Sequence, residues 1–140
     1  MTTNLTPPLW RQHVLRVLFL LILVGLGPDY WVEVFAPTNV PSPMSGVTIS
    51  FYAAFSFLCL LGIRHPLKFI PLLLIQLVYK SAWIIGTYLP AKSAGLLDDN
   101  YESWFWSMAP GIVIDLVVIP WGYVYQEYLK DFFVWKKATA

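Results

Sequence analysis

Long apolar runs restrict this chain more than any motif does. Trp10–Leu26, Val47–Ile63 and Leu67–Tyr88 are each apolar for most of their length. Each is close to the span of about 20 residues that a helix needs to cross the hydrocarbon core of a bilayer. A fourth run lies between Trp104 and Tyr128. The breakers fall between the runs: Gly27-Pro28-Asp29 after the first, Arg64-His65-Pro66 after the second, Leu89-Pro90 after the third.

The surface chemistry agrees. Charged residues make up 12% of the 140 residues and hydrophobic ones 58%, whereas soluble domains carry roughly 25% charged residues. Mean hydropathy is +0.63. The expected fold is a single all-α domain, a membrane bundle with spans at about 10–26, 47–63, 67–88 and 106–128. The start of the last span is open. Pro110 can be its first helical residue, or Trp104-Phe105-Trp106 can open the helix and Pro110 kink it; Pro120 bends it in either case. The first run lacks a small-residue cleavage site and reads as a retained helix.

Basic residues give the orientation. Arg11, Arg16, Arg64, Lys68, Lys130, Lys136 and Lys137 fall on one side, Lys92 falls opposite, and Lys80 lies inside a run. The positive-inside rule then makes both termini and the 64–68 turn cytoplasmic. Tyr30, Trp31, Tyr88, Tyr101, Trp104 and Trp106 are expected to form an outer aromatic belt, and Trp10, Tyr123, Tyr125, Tyr128 and Trp135 an inner one. The segment Gly27–Gly46 reads as a long apolar outer loop. The stretch after Tyr123 reads as a helix leaving the membrane, with lysines suited to an anionic leaflet.

Lys80 is the anomaly. A charge inside a span is costly and calls for a partner or a function. Asp115 is the other ionisable residue deep in an apolar run. Counted inward from Tyr88, Lys80 is about 12 Å deep; Asp115 is about 8 or 17 Å deep, depending on where its span begins. A Lys80–Asp115 pair therefore fits two antiparallel neighbours. Gln76, Lys80 and Trp83 follow the i, i+4, i+7 spacing of one helical face, with Tyr79 beside them. Tyr52, Ser56 and Cys59 repeat that spacing in the second run and can line the same interior. The pair can simply fix the register of two helices, or it can hold a polar ligand or a proton. Ser50/Ala54, Ala82/Gly86 and Ser107/Gly111 fit small-residue helix packing.

Several function classes lack support. The single cysteine, Cys59, excludes an internal disulfide and a cysteine-rich metal centre. His13 and His65 lie at one edge with no metal-ligand spacing, so no metal, cofactor or catalytic residue is expected. A net charge of +1 gives no nucleic-acid footprint.

Two segments look familiar. Gly62–Trp83 (GIRHPLKFIPLLLIQLVYKSAW) and Val118–Val124 (VIPWGYV) resemble a group of small, uncharacterised bacterial inner-membrane proteins with four spans. The resemblance implies bacterial origin and architecture, and no activity. The expected function is non-enzymatic: binding a lipid or apolar ligand, or serving as an accessory subunit of a larger membrane assembly. Membrane lipids, other membrane subunits or a second copy of the chain are the expected partners. The alternative is a membrane-embedded enzyme or transporter subunit that uses Lys80 and Asp115.

Overall fold

A computed structural model describes residues 6–130 and 132. The described residues form helices joined by turns: α1 (Leu9–Phe35), α2 (Pro43–Arg64), α3 (Ile70–Ser93), α4 (Asp99–Val118) and α5 (Trp121–Leu129). The first three are long and apolar enough to cross a membrane. α4 and α5 together form a fourth candidate span, bent by 74° at the break between them. Most of the apolar side chains face outward, among them Val17, Leu20, Leu21 and Val24 on α1 and Phe57, Leu60 and Leu61 on α2. An apolar exterior on this scale suits lipid rather than water.

The helix ends follow local chemistry. Ser42 caps α2 by accepting from the Ser45 N–H, and Pro43 occupies the first turn where its missing N–H costs nothing. Asp98 caps α4 through the Tyr101 N–H at 2.9 Å, and Asp99 and Glu102 complement the dipole of the first turn. α3 ends in a Schellman turn. Gly95 has φ +69°, and the Leu96 and Gly95 N–H groups bond the Ala91 and Lys92 carbonyls.

The prolines divide into three behaviours. α1 continues through Pro28, so the break expected at residues 27–29 is absent, and the connection to α2 shrinks to residues 36–42. Packing explains the difference: Gly27 rests on Ser56 just before the proline and Tyr30 on Tyr52 just after it, which holds the helix against its lost hydrogen bond. Pro110 is likewise inside α4, which starts earlier than either sequence alternative, at Asp99. Before Pro90 the chain widens into a π turn at Ile84–Tyr88, a way of relieving a proline's clash with the preceding turn. Pro120 does break its helix: Ile119 is extended (ψ 124°), as a residue before proline prefers.

α1 with α2, and α3 with α4, form two antiparallel hairpins that touch each other at fewer points. The first is set by close approach. An added Cβ at Gly62 would lie 2.7 Å from the Phe19 ring, so the ring is seated directly on the α2 backbone. Leu15, Phe19, Cys59, Ile70, Leu73 and Ile119 form the dry core, in the half of the bundle that carries the 64–68 turn. Arg11 at the start of α1 reaches the Val117 and Ile119 carbonyls, so the beginning of α1 and the end of α4 share that half.

A polar chamber between the hairpins

α3 and α4 are antiparallel neighbours, and their register places Gln76 opposite Asp115 and Lys80 opposite Gly111. Asp115 is fully buried. Both of its carboxylate oxygens accept from the Gln76 amide nitrogen, at 3.3 and 3.0 Å. Lys80 lies one turn further along α3 and is half-buried. Its ammonium rests against Gly111, the residue one turn before Asp115. Among the described residues it has no direct hydrogen-bond or ion-pair partner; it acts on Asp115 through space. The direct Lys80–Asp115 contact allowed by the matching depths is therefore replaced by a Gln76–Asp115 contact, with the lysine free one turn above.

Lys80 is also part of the wall of a chamber of about 150 Å³. Tyr30, Tyr52, Gln76, Tyr79 and Ser107 supply its polar lining, and Ile22, Leu26 and Met108 its apolar lining. Tyr52 is the centre of an aromatic chain, with ring centroids 4.8 Å from Tyr30 and 5.8 Å from Tyr79. A second cavity of about 340 Å³ adjoins the chamber and shares Tyr52 and Trp104 with it. Thr48, Trp83, Thr87, Asn100 and Tyr101 complete its wall, away from the dry core. Trp83 belongs to this outer vestibule rather than to the chamber, beside Tyr88. Tyr88 is itself buried, stacked on Phe105 and donating to Glu102 at 2.9 Å, which ties α3 to α4 at the vestibule end.

Of the residues singled out from sequence, Gln76, Tyr79, Lys80 and Tyr52 share the chamber. Asp115 is sealed beneath it by Gln76, and Trp83 stands outside it. Ser56 and Cys59 are buried in packing. The Ser56 hydroxyl is bonded to the Ala53 carbonyl of its own helix. Tyr30, Trp104 and Gly111 were not foreseen here. Tyr30 and Trp104 read as belt aromatics as long as α1 ends at Gly27 and α4 starts late. The i, i+4 spacing of Gly111 and Asp115 was the available signal for the glycine. Ser50, Ala54 and Ala82 are exposed and nothing lies close to Gly86, so those two small-residue pairs make no close helix contact among the described residues, whereas Gly111 of the third pair lies against Lys80 of α3. Trp135, Lys136 and Lys137 lie outside the described residues.

No protein-family model matches the chain, nor does any curated protein or solved structure. The functional reading rests on the chamber.

Proposed function

We propose that this is a small multi-pass protein of a bacterial inner membrane that binds an apolar molecule through one strong acceptor group, a carboxylate or a carbonyl. One observation carries the reading: Lys80 has no direct protein partner among the described residues and faces a chamber with three tyrosines. A charge so deep is costly, and a ligand acceptor offsets that cost with a charge-assisted hydrogen bond. Ile22, Leu26 and Met108 suit the apolar part of the ligand, and the vestibule past Tyr52 and Trp104 offers a way in. Asp115 serves the scaffold, fixing the α3–α4 register through Gln76. By the positive-inside rule the end bearing Arg64 and Lys68 faces the cytoplasm. A role as an accessory subunit, through the exposed apolar faces, is compatible with the same site.

The test uses a fluorescent long-chain fatty acid and its alcohol analogue on the purified protein in detergent. The acid should bind saturably and more tightly than the alcohol. Lys80→Met should weaken the acid by about tenfold or more while the protein stays folded, the loss typical of a charged hydrogen bond. Equal binding by wild type and Lys80→Met would end this reading.

A further inference from the structure

Another polar cavity, separate from the chamber and its vestibule, lies at the opposite end of the bundle. It measures about 220 Å³ and is lined by Gln12 and Arg16 of α1, Arg64 at the end of α2, and Pro66, Leu67, His65 and Lys68 in the turn before α3. Among the described residues no acidic side chain lines it. Among the described residues, Arg64, His65 and Lys68 have no side-chain acceptor, and Arg16 has one contact, to the His13 ring at 3.2 Å. Arg64 complements the C-terminal dipole of α2. Arg16 and Lys68 have no such duty, yet α1 and the turn before α3 bring them to the space that Arg64 lines. The guanidinium forks and the ammonium match the oxygens of a phosphodiester.

We infer that this cavity holds the phosphodiester of an anionic glycerophospholipid. The reason to favour a lipid over a soluble phosphate is position. The cavity sits where candidate spans end, and Leu60 and Leu61, about one turn before Arg64, are exposed on α2. A lipid can set its phosphate among the cations and lay its acyl chains along that apolar face. Basic pockets between spans at this level are suited to anionic headgroups.

The test is native mass spectrometry of the full chain released from phosphatidylcholine nanodiscs doped with phosphatidylglycerol or cardiolipin. The wild type should retain the anionic lipids over phosphatidylcholine by about thirtyfold, from about two effective surface charges. Arg64→Gln/Lys68→Gln should lose that preference, and Lys92→Gln, distant in the fold, should keep it. Equal retention of zwitterionic and anionic lipids by the wild type would overturn the proposal, as would an undiminished preference in the double variant. Displacement of the lipid by an equal concentration of inorganic phosphate would assign the site to a soluble anion instead. Should the double variant not fold, thermal unfolding of the wild type decides: phosphatidylglycerol should raise its midpoint relative to phosphatidylcholine, and no rise overturns the assignment.

Discussion

Lys80 lies directly against Gly111, so a β-carbon at position 111 would run into its ammonium group. The glycine is the seat that lets the lysine cross from α3 to α4 and still face the chamber. The atom in the way is the end of a flexible chain, which can move. Gly111→Ala is therefore expected to cost little stability, about 1 kcal/mol or less, while moving the charge. Fatty-acid affinity should change several-fold with a nearly constant melting temperature. Gly111→Val, which also reaches the lysine stem, should weaken binding further. Unchanged affinity in both variants would show that the placement of the ammonium has no bearing on binding.

Asp115 depends on Gln76 for its direct hydrogen bonds. Gln76→Leu removes them and leaves a fully buried carboxylate with only a through-space lysine. The expected loss is about 3 kcal/mol, the scale for stripping one partner from a buried charge. Gln76→Leu/Asp115→Leu should recover most of that, because the leftover charge is gone as well. A denaturation cycle over the two single variants and the double checks this. Additive losses would mean that the two residues do not act as a unit.

The same two residues show what could be read from the sequence. Apolar runs of span length named the helices, because burial in lipid imposes composition as well as pattern. The depth of Lys80 and Asp115 placed both in the interior, one helical turn apart. Depth alone could not say which side chain makes the hydrogen bond. That choice depends on helix rotation, which here aligns Gln76 with Asp115 and Lys80 with Gly111. The proline misreading had a wider effect. Pro28 looked like a stop, but the contacts of Gly27 and Tyr30 with α2 carry the helix past it. Ending α1 early hid Tyr30 from the site, and starting α4 late hid Trp104. Pro120 was legible as a bend because a residue before proline favours extended backbone, which Ile119 adopts even though its side chain is packed in the core.

The Phe19 ring sits on the bare backbone of Gly62. Gly62→Ala is expected to destabilise by about 1–3 kcal/mol, the cost of overpacking a close helix contact. Phe19→Leu in the same chain should restore part of the loss by giving the methyl room, although alone it opens a cavity. Cys59 reports the result. It is buried and free, so a maleimide should label it only as the bundle opens. Faster labelling in Gly62→Ala, slowed again in the double variant, is the expected order. A Gly62→Ala protein that labels at the wild-type rate would contradict the packing described here.

Arg11 holds the break between α4 and α5. Its guanidinium donates to the Val117 carbonyl at 3.2 Å and to the Ile119 carbonyl at 3.4 Å. These groups lie at a helix end, where carbonyls have lost their intrahelical partners, and Pro120 cannot supply an N–H to continue the ladder. Arg11→Met is expected to lower stability by about 1–2 kcal/mol, the range for hydrogen bonds from a charged donor. The loss should be local: α5 is tied to the bundle just beyond this contact, and Lys130 follows it in an exposed position. Trypsin should therefore cut at Lys130 faster in the variant, with the 64–68 turn cut at the wild-type rate. Arg11→Lys should fall between the two: one Arg11 nitrogen, Nη2, makes both bonds, and the shorter lysine stem keeps the charge but reaches the two carbonyls less well. Equal acceleration at both places would point to global loosening, and α5 would then owe its position to apolar packing of Val124 against the core.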